Sequence, residues 1–258
     1  MAAGFFGLGI DWVGYGTGVS NPAYGVQIRF DGVNWVDVSA DVKRFNTDKS
    51  LASVFVPLVP GIAMIELSNE HRKYSPQNSS SPYYPNMKPG RQARIILTNG
   101  SSLYGLFRGE IREINLGTAP GQQAAVLQLE DSIGKLMRTS YTSSLFINTN
   151  PSSLFTSVLS AVGVNSFYAD SITDEIGYAW YRDNQSSDVL NEIITFGNNR
   201  MFEDGWGTLK LKNRYWGVEG SQVASYANFF SFDVALSAND VVNRVKLDSD
   251  PRKVSTSV

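Results

Sequence analysis

Residues 62–91 read IAMIELSNEHRKYSPQNSSSPYYPNMKPGR. Ile62, Met64 and Glu66 fall on one face of an extended segment, and Ala63, Ile65 and Leu67 on the other. Both faces are largely apolar until Glu66, the pattern of a strand buried in a sheet or barrel. Asn69 ends it and a polar run follows, in which Pro76, Pro82, Pro85 and Pro89 fix φ across a long loop. Pro89-Gly90 is a turn signal, and in RQARIILT beyond it Ala93, Ile95 and Leu97 alternate with polar neighbours, which predicts the next strand. A loop this long and this constrained is usually functional or interfacial.

Working outward, the pattern predicts further strands at 24–30, 35–38, 52–58, 103–116 and 124–129. The segment 103–116 is long enough to bend between sheets. Asp131 is placed to cap a short helix ending at Met137, because a carboxylate accepts from the free N–H groups of a first turn. Residues 22–140 therefore read as one antiparallel β unit, a barrel or a sandwich.

The pattern changes after residue 140. Asn150-Pro151-Ser152 opens a helix with Leu154, Val158, Leu159 and Val162 at helical spacing, and Gly163 closes it. Ser186-Ser187-Asp188 opens a second, with Val189, Leu190, Ile193, Ile194 and Phe196 on one face and Gly197 after it. Tyr178 to Tyr181 form a short strand between them, and Asp204-Gly205 turns a hairpin. Residues 145–216 thus read as a small α+β unit. The polar run 139–150 is where a boundary is expected. The first 21 residues, rich in glycine with Phe5, Phe6, Trp12 and Tyr15 among them, read as a flexible arm.

Composition narrows the function classes. A net charge of −2 with no basic block argues against a dedicated nucleic-acid binder. With no cysteine, disulfides, thiolate metal sites and cysteine nucleophiles are excluded. His71 is the one histidine and sits in a polar turn, so triads and paired-histidine metal sites lack their partners. Gly14-Tyr15-Gly16-Thr17-Gly18 has no strand–turn–helix frame and no Lys-Ser/Thr after it, so it does not read as a phosphate loop. The pairs Glu130/Asp131 and Asp174/Glu175 are the remaining candidates for glycoside hydrolysis, which needs two carboxylates across a cleft. A helix start and a solvated loop explain them more simply. No segment reads as a signal peptide or a membrane span. No catalytic, cofactor or metal site is expected.

The same central stretch carries a resemblance. Leu67, Asn69, Arg72, Tyr74, Ser75, Pro76 and Asn78, then Ser81-Pro82-Tyr83, then Lys88-Pro89-Gly90-Arg91, resemble a segment of the tail proteins of long-tailed bacteriophages that form the hub of the tail tip or baseplate. Asn34-Trp35-Val36-Asp37-Val38-Ser39 is similar to that family's early strand, Leu106 to Ile111 to a later one, and Ala125 to Asp131 with Gly134-Lys135-Leu136 to its strand-to-helix step. Arg200 to Gly207 resembles its acidic, glycine-containing hairpin, and Asn239 to Val245 the segment that returns toward a second barrel.

The resemblance implies a mainly β chain, a tail-tube-like antiparallel β-barrel with a smaller α+β domain beside it. It implies a structural virion protein, not an enzyme, in a ring that continues the tail tube and adapts it to the tip or baseplate. Its partners would be tail-tube, distal-tail and tip proteins. The ring is a homo-oligomer, a trimer in the family, where each chain usually carries two barrels. Here the return segment at 217–258 only begins a second barrel, so another polypeptide supplies it or the form is a shortened one. DNA would pass the channel without specific binding, with no stable membrane insertion and with assembly in the host cytoplasm. The loop is the expected contact between subunits, through Arg72, Tyr74, Tyr83, Tyr84 and Arg91, because tyrosines supply large contact area at low rotamer cost. Two alternatives stand beside this reading. A glycan-degrading tail enzyme needs a carboxylate pair in a cleft, and a carbohydrate-binding receptor module needs Tyr178 and Trp180 exposed.

Overall fold

A computed structural model of the chain describes residues 23–53, 56–99, 102–117 and 123–216. The chain divides into two compact units, Met1–Trp216 and Gly217–Val258, and the described residues all belong to the first. The arm expected at 1–21 and the return segment expected at 217–258 lie outside the described residues.

Seven strands form one antiparallel sheet: β1 (Ala23–Arg29), β2 (Val36–Asp37), β3 (Val42–Asp48), β4 (Ile62–Ser68), β5 (Gln92–Asn99), β6 (Ser102–Gly117) and β7 (Ala124–Glu130), in the order β2-β1-β5-β6-β7-β4-β3. The chain is mainly β, as its apolar alternation predicts. β6 is the pivot. Its first part pairs with β5 from Asn99↔Ser102 to Gln92↔Glu110, and its second with β7 from Glu110↔Glu130 to Gly117↔Ala124. A register shift between Ile111 and Glu113 re-aims the strand where it changes partner.

The expected barrel does not close among the described residues. β2 and β3 stand at the two edges of an open sheet, and β2 has only two residues to offer a partner. Two strand expectations also change. β3 escapes the apolar pattern because it is a charged edge strand, VKRFNTD. The described residues of 52–58 form only isolated bridges, Ala52↔Met201 and Ser53↔Val56. Ala52 and Leu58 are apolar because they pack into a second core.

The first core lies under the sheet, on Val26, Ile28, Ile65, Leu67, Phe107 and Leu127, all without exposure. Each such side chain contributes about 1.5–3 kcal/mol on burial. The second core belongs to the α+β part: α1 (Ser132–Leu136), β8 (Ser140–Tyr141), β9 (Phe146–Thr149), α2 (Pro151–Val162), β10 (Phe167–Ala169), β11 (Ile176–Ala179), β12 (Asn184–Gln185), α3 (Ser186–Gly197), β13 (Arg200–Glu203) and β14 (Leu209–Lys212). Leu154, Phe155, Val158 and Leu159 of α2 meet Val189, Leu190, Ile193 and Ile194 of α3 there.

Local signals account for the helix ends. Asp131 accepts from the Ile133 N–H, and Asn150 from the Ser152 N–H at 2.7 Å. Gly163 closes α2 in the left-handed region at φ 74°. α3 opens at Ser186, as expected, with the extended Gln185 before it in the cap position, and Ser186 is buried with its hydroxyl donating to the Thr139 carbonyl.

Two glycines let the hairpin β13–β14 reach the sheet. A Cβ at Gly205 would lie 1.8 Å from the Gly105 carbonyl oxygen, and one at Gly105 would lie 2.7 Å from that of Gly205. Backbone meets backbone there, and no larger residue fits at either position.

Candidate interaction surface

Asn69 converts the end of β4 into the loop. Its amide oxygen accepts from the Tyr74 N–H at 2.7 Å and its Nδ2 donates to the Ser75 hydroxyl. The chain then winds in steps of three: the N–H groups of Ser75, Asn78, Ser81 and Tyr84 donate to the carbonyls of Arg72, Ser75, Asn78 and Ser81. The Ser81 hydroxyl donates to the Lys73 carbonyl and accepts from the Tyr83 N–H. Beyond the cis Tyr84–Pro85 peptide, Met87 is buried, and Gly90 and Arg91 pair with Ile111 to start β5. The loop is a folded element with its own hydrogen bonds.

That winding redistributes the residues expected at an interface. Tyr74 is corrected: it is fully buried, so it serves the fold and touches no solvent. Its hydroxyl donates to Asp41, and Lys73 binds the same carboxylate at 2.5 Å. Burial first, and then the bond to Asp41, push the Tyr74 phenol well above its ordinary range, so it stays protonated. Burial raises Asp41, but its bonds from Lys73 and Tyr74 outweigh that and hold it below the usual carboxylate value. Tyr83 is half-buried and stacks on Phe30, with centroids 3.9 Å apart. Arg91 folds back onto Asn86.

Tyr84, at 49% exposure, and Arg72 remain at the surface. Arg72 and His71 both adopt the left-handed region, at φ 56° and 54°. Asn78 Nδ2 holds this pair by donating to both carbonyls. Such strain in non-glycine residues persists only where surroundings enforce it, and it concentrates at functional positions. With Lys43, Ser68, Glu70 and Gln123 they line a dish of about 550 Å³. Nothing in the local sequence signals positive φ at these residues, and nothing in it separates the exposed Tyr84 from the buried Tyr74.

The acidic pairs resolve differently. Glu130 binds Arg112 and Arg138, and Asp174 binds Arg214. Asp131 instead joins a buried group with Glu203 and Lys49. Its oxygens accept from the Gly61 and Ile133 N–H groups, Glu203 accepts from the Ser132 N–H, and Lys49 donates to the Glu203 and Asp204 carbonyls. Burial, reinforced by Glu203, pushes Asp131 up to about 7; burial also raises Glu203 and lowers Lys49. A carboxylate near 7 beside a 260 Å³ cavity has the protonation of a general acid. Its oxygens, however, are committed to backbone N–H groups, the geometry of a helix cap. Among the described residues no cluster of acids and histidine is arranged to hold a metal, and no helix is long and apolar enough to cross a membrane.

No family model and no curated protein matches the sequence. The fold is similar to those of solved tail proteins. The 43 kDa tail protein of prophage MuSo2 from Shewanella oneidensis aligns at 11% identity with a TM-score of 0.48, over 74% of this chain and 56% of that one. Prophage tail protein gp18 of Listeria monocytogenes aligns at 6% identity and 0.49, over 74% and 51%. The E. coli c3393 protein, a type VI secretion component structurally similar to phage T4 tail proteins, aligns at 13% and 0.46, over 67% and 46%. The chain spans about half the length of these proteins, and at such identities the likeness is one of fold.

Proposed function

We propose that this chain is a structural protein of a phage tail, built into the hub ring at the distal end of the tube and joining it to the tip or baseplate. The loop at 68–91 carries the reading. Its residues follow the tail-hub pattern in order, and they fold into a wound element that holds Arg72 and Tyr84 outward. In this reading the chain is not an enzyme. It pairs with copies of itself, as a trimer, and with tail-tube, distal-tail and tip proteins. DNA passes the ring unbound, which suits a mildly acidic protein. The virion is its site of action and the host cytoplasm its site of assembly.

The test is a double variant, Arg72→Ala with Tyr84→Ala, in cells producing the particle. Circular dichroism of the purified variant should match the parent, since both side chains are exposed, while electron microscopy should find tails without a hub. Normal tails carrying the variant would sink the interface, and an unfolded variant would assign the residues to the fold.

One observation favours a second reading, a carbohydrate-binding receptor module. Along β11 and the residues after it, Ala179 and Tyr181 face the core while Tyr178 and Trp180, at 38% and 57% exposure, face outward. Host-glycan binding lost in Trp180→Ala would support it.

A further inference from the structure

The outward face of β1, β5 and β6 carries two rows of cross-strand neighbours. One runs Asp37–Gln27–Arg94–Arg108 and the next Arg29–Gln92–Glu110. The three arginines gather on one indole: the guanidinium carbons of Arg29, Arg94 and Arg108 lie 4.4, 4.3 and 5.7 Å from the centre of the Trp35 ring. Their acceptors are neutral. Arg94 donates through Nε and Nη2 to the Gln27 amide oxygen, and Arg29 and Arg108 share that of Gln92 at 3.2 and 3.1 Å. Arg108 also reaches the Trp206 carbonyl. Among the described residues none of the three forms an ion pair with a carboxylate. The Arg29 Nε is buried without an acceptor.

Three like charges held together repel, and a buried donor left unpaired costs free energy. Burial, then repulsion from Arg108 and Arg29, lowers Arg94 from its ordinary value; burial and then Arg29 lower Arg108, against a smaller opposing pull from Glu203. A bound anion removes the repulsion, and guanidinium forks match a carboxylate in geometry. We propose that the Arg29–Arg94–Arg108 cluster on Trp35 is an anion site whose ligand is a carboxylate-bearing segment of a neighbouring polypeptide. The layout selects that ligand over nucleic acid. Binding to a nucleic-acid backbone needs positive charge spread along many phosphates. Here the positive spot is compact, and each row ends in an acid, Asp37 or Glu110, that repels a continuing polyanion. The site stands whether or not the chain belongs to a tail hub.

The test is NMR of the full chain labelled with ¹⁵N-arginine, following the guanidinium Nε–H signals. The peptide acetyl-Gly-Glu-Gly-Glu-Gly-amide should shift the signals of Arg29, Arg94 and Arg108, identified by single Arg→Gln substitutions, and its glutamine counterpart should not. Arg108→Gln should weaken binding about tenfold, and added salt should weaken it further. Absence of shifts with the glutamate-containing peptide, or shifts confined to other arginines, would overturn the site. Glutarate binding as tightly as the peptide, or hexathymidylate binding more tightly, would overturn the polypeptide assignment. The wild-type titration decides the matter even if a substituted chain fails to fold.

Discussion

Under the 68–91 loop, one carboxylate, Asp41, meets one ammonium, Lys73, and one phenol, Tyr74. Between the sheet and the α+β part, two buried carboxylates, Asp131 and Glu203, have one lysine near them, Lys49. The first grouping is balanced in charge and part-exposed, and its carboxylate is held ionised. The second carries more negative charge than its cation offsets, in a place where water cannot help, so a proton is taken up near neutrality. Both serve structure: one pins a loop, the other caps α1 and ties it to β3 and β13. They respond to pH in opposite senses.

The largest expected effect tests the first grouping. Tyr74→Ala removes a fully buried ring beside Tyr83 and should cost about 3–5 kcal/mol in urea denaturation. Tyr74→Phe, which loses only the bond to Asp41, should cost about 1 kcal/mol. A Tyr74→Ala cost below about 1 kcal/mol would mean the loop is not anchored through its tyrosine.

The second grouping is tested by pH. Asp131 has a folded pKa of about 7 against 3.8 unfolded. The folded chain therefore binds a proton as pH falls below 7, and the unfolded chain does so only near 4. Stability should rise as pH falls from about 8 to about 4, by on the order of 2–4 kcal/mol, with Glu203 acting in the same sense. Asp41, held below 3.8, acts oppositely: its contribution is present above that value and lost as pH falls further. Denaturation midpoints across this range should rise and then fall, and Asp131→Asn should flatten the rising limb. A profile unchanged by Asp131→Asn would show that the carboxylates are not coupled.

The smallest effect concerns the proposed boundary between residues 22–140 and 145–216. Limited proteolysis should cut first at exposed residues around Thr142 and Leu145. The fragments should then remain together, because Ala52 and Leu58 lie in the second core and Lys49 reaches β13. Fragments that separate on gel filtration would show these contacts to be weak, and first cuts within 93–130 would displace the boundary.

Much of the fold was legible because its signals are local. Alternation placed β4, β5, β6 and β7, and Asn150, Pro151 and Gly163 bounded α2, since strand pleat and helix caps act over a few neighbouring residues. The charged edge strand β3 was not legible, because an edge strand has no apolar row to show. Less of the candidate surface could be read. Tyr84 and Arg72 stand at the surface, but tyrosines in a polar, proline-rich run look alike, and one of them faces inward.

The sequence by itself determined a mainly β chain, a long proline-constrained loop and the helix ends, through φ restriction and side-chain periodicity. Only the tertiary structure decided that Tyr74 turns in to Asp41, that among the described residues the sheet stays open at β2 and β3, and that Arg29, Arg94 and Arg108 converge on Trp35. Each of these depends on strands brought together across long stretches of chain. Strand pairing is chosen by the global balance of burial and backbone hydrogen bonding, which leaves no periodic trace near the residues concerned.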